Sequence, residues 1–324
     1  MRGRWIAVLA SAVVASLAAG LAAGSVPLGL GEVVAGLVDP RAPSAVVVRE
    51  LRAPRVLLAF LVGGSLGVSG AALQALIRNP LAEPFLLGLS SGAGLGAVAA
   101  LALGVGGSWG VPVAAFGGAL AAVALVYRLS LVAGRRLDPR VLLLAGVVVG
   151  SFAGALMSAI LVVSPAAGIR NAFLWLLGGF GAASWQGVAI FGAYAVVPLA
   201  LVGLSARSLD LLVLGEEAAH HLGAPVDRTR RTVYLCTALL TAASVATCGI
   251  IGFVGLVVPH AVRVVARPLH RTLLPAVFLV GGAFMVLADV VARTAVRPLE
   301  LPVGVVTALV GVPVFALLLR RSIP

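Results

Sequence analysis

Residues 56–77 read VLLAFLVGGSLGVSGAALQALI, an uncharged run that lies between Arg55 and Arg78. A helix needs about 20 apolar residues to cross the hydrocarbon core of a bilayer, so this run predicts a transmembrane helix. Its many glycine, alanine and serine residues are typical of membrane helices that approach one another closely. The run therefore favours a tightly packed bundle of membrane helices over a soluble fold.

The composition of the whole chain indicates a membrane protein. The 324 residues are 61% hydrophobic and only 10% charged, and the mean hydropathy is +1.15. A soluble domain is about a quarter charged. The formal net charge of +12 comes from arginine alone, since the chain has no lysine. These arginines separate apolar runs instead of clustering with aromatic residues, so we do not expect binding to nucleic acid.

Hydropathy predicts an all-α polytopic membrane protein in which residues 1–324 form one transmembrane domain of about ten helices. The predicted spans are 5–25, 56–77, 85–106, 111–132, 141–163, 185–206, 231–248, 250–266, 273–292 and 302–319. The third and the eighth are interrupted by glycine, serine or proline. The shorter apolar segment Ala172–Gly181 is predicted to be an interfacial or re-entrant helix.

The distribution of arginine predicts the orientation in the membrane. Both ends of the chain are basic, and the positive-inside rule then favours an even number of spans with both termini in the cytoplasm. Under this topology sixteen arginines lie inside, among them Arg135, Arg136 and Arg267, and seven lie outside. We therefore expect a multi-pass protein of the cytoplasmic membrane with both termini inside.

The predicted spans offer little for ion coupling or catalysis. Asp289 is the only acidic residue within them, and Arg293 follows one helical turn later, so we expect these two side chains to pair. Ion-coupled secondary transporters usually carry ionisable residues at mid-membrane, which makes that class a weaker alternative. The sequence has neither a Walker A loop nor an HExxH motif, and His260 has no second ligand at metal-binding spacing. We expect neither an enzyme nor a metal site.

Four motifs occur in order along the chain. They are LRAPR at 51–55, RNPLAEP at 78–84, GFVGLVVPHAVR at 252–263 and ELPVGVVTALVGVPVF at 300–315. Together they resemble the FecCD, or BtuC-like, permeases of type II ABC importers, which carry iron-siderophores, haem and vitamin B12. The resemblance extends over essentially the whole chain.

The resemblance implies a set of partners for this chain. They are a second copy forming a homodimer around the translocation path, two cytoplasmic ATPase subunits and an extracytoplasmic substrate-binding protein. It implies no cofactor on this chain, because ATP is used by the partner ATPase subunits. Ferric siderophores are the commonest substrates in the family and are the leading expectation. Cobalamin and haem are the alternatives.

The resemblance also implies a docking role for three arginines that flank the spans. Arg52, Arg55 and Arg293 match arginines that pair with glutamates of the binding protein, and guanidinium groups hold carboxylates bidentately. The alternative for these arginines is that they reach the headgroups beside their spans. A second group of small residues is a candidate lining of the path, with close helix packing as the alternative. These residues are Gly146, Gly150 and Ser151.

The segment 207–231, which we call the coupling segment, joins the sixth and seventh predicted spans and contains LGEEAAHHLG at 214–223. Acidic residues suit the first turn of a helix, and a glycine ends one, so a short helix is predicted here. By resemblance, this helix carries the EAA loop signature and docks in a groove of the ATPase. The alternative is a solvated loop helix. The candidate coupling residues are Glu216, Glu217, Ala218, Ala219 and Gly223.

Overall fold

The computed structural model describes residues 2–24, 26–105, 108–134, 138–265 and 269–322, and the regular elements in these ranges are helices. The α-helices are α1 (Arg2–Ala22), α2 (Leu30–Val38), α3 (Ala53–Ile77), α4 (Leu89–Ala102), α5 (Gly110–Gly134), α6 (Pro139–Val163), α7 (Ala166–Leu176), α8 (Trp185–Leu204), α9 (Ala206–Val213), α10 (Glu216–His221), α11 (Val226–Cys248), α12 (Val254–Val265), α13 (His270–Thr294) and α14 (Val303–Ser322). A π-helical turn, Val47–Arg52, precedes α3, and a 3-10 turn, Pro84–Leu87, precedes α4.

The all-α polytopic fold predicted from the sequence is confirmed. Among the described residues, α3 with its preceding turn, α5, α6, α8, α11 and α13 are long and apolar enough to cross a membrane. The four other predicted spans correspond to shorter apolar helices. They are Ala7–Ala22, Leu89–Ala102, Val254–Val265 and Val303–Leu317. The two shortest of these are the spans that the sequence marked as interrupted.

Several helix boundaries differ from the predicted spans. The helix of the seventh span begins at Val226 instead of 231, and helical structure precedes the second span from Val47. Hydropathy missed these turns because they contain arginine, and it missed α2 and α9 because they are short. A short helix is present in this region, but α7 spans Ala166–Leu176 instead of the predicted 172–181, and the chain leaves the helix where Gly178 adopts a left-handed conformation, with a φ of +71°. The predictions for Arg135, Arg136 and Arg267, and for the span ends at 25, 106 and 266, fall outside the described residues.

Helix α3 lies at the centre of the bundle, and glycines bring it into backbone contact with its neighbours. A Cβ atom placed on Gly63 would lie 2.3 Å from the carbonyl oxygen of Gly281 on α13. A Cβ atom on Gly70 would lie 1.9 Å from the carbonyl oxygen of Gly255 on α12. No side chain fits at either crossing, so the small residues of the opening run serve close packing, as predicted.

Helix α11 is buried although it is the least apolar of the six long spans. Its hydroxyl groups donate to backbone carbonyl oxygens of the preceding turn, at 2.7–3.0 Å. The residues that donate in this way are Thr237, Thr241, Ser244 and Thr247. These four hydroxyl groups are therefore satisfied within the helix itself, which lowers the cost of placing them in a membrane.

Candidate functional site

Charged side chains meet where α3 begins and α13 ends, and we call this group the arginine cluster. Its members are Arg52, Arg55, Asp289, Arg293 and Glu300. Asp289 lies at its centre and is only 1% exposed. Its carboxylate is 2.9 Å from Nη2 of Arg55 and 3.0 Å from Nε of Arg293. The predicted pair of Asp289 with Arg293 is confirmed, and Asp289 in addition ties α13 to α3.

Two arginines of the cluster hold the carboxyl end of α1. Arg52 and Arg293 donate to backbone carbonyl oxygens at or just after that end. The acceptors are Gly20, Leu21, Ala22, Ala23 and Val26. The last carbonyl groups of a helix have no partner within the helix and carry partial negative charge, so guanidinium groups stabilise them. Both arginines therefore anchor α1 to the bundle.

The three predicted docking arginines differ in exposure. Arg52 and Arg293 are 6% and 4% exposed, and backbone carbonyls occupy their donors. Arg55 instead directs Nη1 toward Glu300, at 2.9 Å, and the Glu300 side chain is 45% exposed. Of the three, Arg55 is thus the one whose charge lies nearest to the outer face of the cluster.

Sequence reasoning missed both carboxylate partners of Arg55. Asp289 lies 234 residues away along the chain, and no local spacing connects the two. One signal was available, because a single carboxylate in an apolar span requires a cationic partner, and the arginines that flank the other spans were the candidates. Glu300 gave no such signal, since it lies in a loop.

The helix predicted in the coupling segment is present as α10. Glu216 and Glu217 occupy its first turn, and Gly223 follows its end with a φ of +80°, a left-handed conformation that favours glycine. Glu216 accepts two hydrogen bonds from Arg230 on α11, at 3.0 and 2.6 Å, which fixes α10 against that helix. Within α10, Ala219 is buried, whereas Glu217 is exposed.

Apolar side chains beside α10 are exposed. Leu214 and Leu222 are 66% and 58% exposed, and the intervening Ala218 is half-buried. An exposed apolar surface with charged neighbours is typical of a contact with another protein. This surface is therefore a candidate for protein binding.

Within the described part of the chain, no group of three or more His, Cys, Asp or Glu side chains is placed to hold a metal ion.

The arginine cluster and α10 lie at opposite ends of α3. Arg55 is in the first turn of α3, while Arg78 follows its last turn and lies beside Gly215, the residue before α10. The 25 residues of α3 span about 37 Å at 1.5 Å per residue. One buried helix thus connects the two candidate contact surfaces.

The candidate path residues on α6 lie in two different environments. A Cβ atom on Gly88 would lie 2.9 Å from the carbonyl oxygen of Gly146, and one on Gly150 would lie 3.4 Å from Oγ of Ser91. Both α6 glycines thus pack against the start of α4, which favours the packing alternative for them. Ser151 lies on the exposed face of α6. A role in lining the path remains a prediction for Ser151.

The chain between α11 and α12 is not helical, and a carboxylate fixes the start of α12. Glu83 accepts a hydrogen bond from the backbone N–H of Phe253, a residue with a φ of +68°. Burial raises the pKa of the Glu83 carboxyl, while the bond from Phe253 acts in the opposite direction. Phe253 and Gly252 also line an apolar recess of about 600 Å³ between α7 and α14. This recess includes the non-helical start of the predicted eighth span.

Among the described residues, six helices are long and apolar enough to cross a membrane, and four shorter apolar helices accompany them. The FecCD transport family matches residues 12–321, and the chain belongs to this family. It is therefore a multi-pass membrane permease of the ABC importer class.

Two relatives and one solved structure show how close the similarity is. The cobalamin import system permease protein BtuC of Halobacterium salinarum is 48% identical over 276 residues, which cover 85% of this chain and 73% of that protein. The vitamin B12 import system permease protein BtuC of Shigella boydii is 39% identical over 322 residues, which cover 98% and 95%. A metal-chelate type ABC transporter solved in an inward-facing conformation has a TM-score of 0.85 at 28% identity, covering 99% of this chain and 100% of that one.

Proposed function

We propose that this chain is the permease subunit of a cobalamin importer. The observation that carries the proposal is the similarity to relatives named as cobalamin and vitamin B12 permeases, at 48% and 39% identity. Cobalamin thereby replaces the ferric siderophore as the leading substrate, and ferric siderophore and haem become the competing outcomes of the test.

The substrate is tested by transport in proteoliposomes. The permease is reconstituted with its cognate ATPase and binding protein, and ATP-dependent uptake of radiolabelled cyanocobalamin, a ferric siderophore and haem is compared. We expect uptake of cyanocobalamin. Uptake of only the siderophore or haem would overturn the substrate assignment. Uptake driven by an ion gradient without ATP would overturn the transporter class.

Two copies of the chain form the membrane part of this importer. Support comes from the exposed apolar face of α6, where Val147, Val148 and Phe152 are each 60% or more exposed. Ser151 is exposed on the same face of α6. Because Cys236 and Cys248 are buried, Ser151→Cys introduces a single accessible thiol. We expect oxidative cross-linking between two copies at this position, and its absence in membranes would count against this interface.

The arginine cluster faces the binding protein outside the cell, and the coupling segment faces the ATPase in the cytoplasm. Support comes from the resemblance and from the position of the two surfaces at opposite ends of α3. The orientation is tested by labelling cysteines introduced at exposed Glu50 and exposed Glu217 with a membrane-impermeant reagent in intact cells. Only the thiol at position 50 should react. The opposite pattern would reverse the orientation.

A further inference from the structure

We propose that Glu300 takes the place of a binding-protein carboxylate while the permease is undocked. It covers the outward edge of Arg55 and is displaced when a carboxylate of the binding protein takes its position. The inference rests on the proposed function, because it assumes that the arginine cluster is the docking surface. It adds a residue of this chain that competes with the partner for the same guanidinium group.

The two edges of the Arg55 guanidinium group are held in different ways. Nε and Nη2 donate to the Asp289 carboxylate at 2.9–3.1 Å, and Asp289 is buried. Nη1 donates to Glu300, whose oxygens lie at 2.9 and 3.3 Å and whose side chain is 45% exposed. The buried edge fixes the position of Arg55, and the outward edge is closed by a carboxylate that water also reaches.

The neighbouring arginines do not offer an equivalent edge. Arg52 and Arg293 are almost fully buried and direct their terminal Nη groups to the end of α1. A partner carboxylate would have to displace helix-end carbonyls to reach them. At Arg55 it has to displace only one exposed side chain, and ion pairs with an exposed partner are weak. Exchange at Arg55 therefore costs the least.

The charge balance of the cluster favours such an exchange. Three arginines face two carboxylates, so one positive charge is in excess while Glu300 is in place. Departure of Glu300 exposes a second positive charge to the partner, and opposite charges across an interface speed association and fix its orientation. Because Asp289 holds Arg55 in place before and after docking, the Arg55 side chain loses little conformational freedom when the partner binds.

Glu300 is located where it can move without disturbing the bundle. It lies in the loop between α13 and α14, in which residues 295–300 are all exposed. The next residue, Leu301, is tied to α13 by a hydrogen bond from its N–H to the carbonyl oxygen of Ala292, at 2.9 Å. The backbone after Glu300 is thus held, while its side chain, beside Arg55, is 45% exposed to solvent.

The test compares the affinity of permease variants for the cognate binding protein. Each variant is placed in lipid nanodiscs, and binding is measured by surface plasmon resonance. Glu300→Gln is expected to bind about fivefold more tightly, as a weak exposed ion pair no longer has to be broken. Glu300→Asp keeps the charge with a shorter reach and is expected to fall between this variant and the wild type. Arg55→Ala is expected to lose binding.

The matched control is Glu50→Gln, which removes an equal charge from an exposed carboxylate near the same end of α3. We expect its affinity to stay within about twofold of the wild type. Equal tightening in this control would overturn the inference in favour of a general charge effect. Unchanged or weaker binding of a folded Glu300→Gln variant, with binding lost in Arg55→Ala, would also overturn it, while docking at the cluster would stand. Normal binding of Arg55→Ala would overturn the docking function itself.

Discussion

The two ends of α3 present charge in opposite ways. At the Arg55 end, cations and carboxylates are paired with one another, and most of them are buried. At the Arg78 end, one ion pair fixes α10, while leucine, histidine and glutamate side chains extend into solvent. A partner that binds at the first end therefore has to replace existing ion pairs with its own. A partner that binds at the second end has to match the exposed surface of α10.

The strongest test of this contrast is Asp289→Asn. Removal of the carboxylate leaves buried Arg293 and the 13% exposed Arg55 without their shared partner, and removing one member of a buried ion pair costs about 3–5 kcal/mol. We expect a large fall in the thermal unfolding temperature of the purified permease. Glu300→Gln is the control, with a change of about 1 kcal/mol or less. Equal unfolding temperatures of the two variants would show that the buried ion pairs of Asp289 do not stabilise this end of the bundle.

Arg52→Gln tests whether Arg52 anchors α1. The variant loses hydrogen bonds from a charged donor to helix-end carbonyls, each of which is worth about 1.5–3 kcal/mol, so a loss of about that size is expected in thermal unfolding. The exposed Arg41 provides the control, and Arg41→Gln should leave the unfolding temperature unchanged. If both variants behave alike, Arg52 has no anchoring role.

At the other end, Ala218→Leu tests recognition by shape. Extra side-chain volume in a well-fitted contact costs about 1–3 kcal/mol, so docking of the ATPase is expected to weaken about tenfold. ATP-driven uptake should fall accordingly, while the bundle keeps its unfolding temperature. Ala189→Leu, on the exposed face of α8, makes the same change away from α10 and should transport normally. Full uptake by Ala218→Leu would count against α10 as the coupling helix.

Glu216→Gln is expected to have the smallest effect. Its pair with Arg230 is short but half-exposed on the glutamate side, so the loss should be about 1 kcal/mol or less in thermal unfolding. A loss as large as that of Asp289→Asn would remove the contrast between the two ends. A clear loss of uptake at unchanged stability would instead indicate that the pair sets the position of α10.

The sequence predicted the ten apolar helices because hydropathy depends on residues that are adjacent along the chain. It also predicted α10, where two glutamates and a glycine define the ends of one short helix. It did not predict α2 or α9. Hydropathy identifies a span by its length of about 20 apolar residues, and these two helices are much shorter. The boundaries were least accurate where arginine lies within a helix, as in the turn before α3.

The site could be predicted only as a set of residues. The sequence grouped Arg52, Arg55 and Arg293 through resemblance, and the structure places them together. Which of them is buried depends on contacts with α1 and with Asp289, and those contacts join residues that are far apart in the chain. The same holds for Glu83, whose bond to Phe253 connects residues 170 positions apart.

The burial of α11 has a consequence for biogenesis. A helix that enters the bilayer alone exposes its whole surface to lipid, and the hydroxyl groups of α11 make that exposure less favourable than for its more apolar neighbours. Helix α3 has already been synthesised when α11 leaves the ribosome, and the two helices are in contact in the folded protein. We therefore expect the earlier spans to act as an intramolecular chaperone, receiving α11 into a partly assembled bundle.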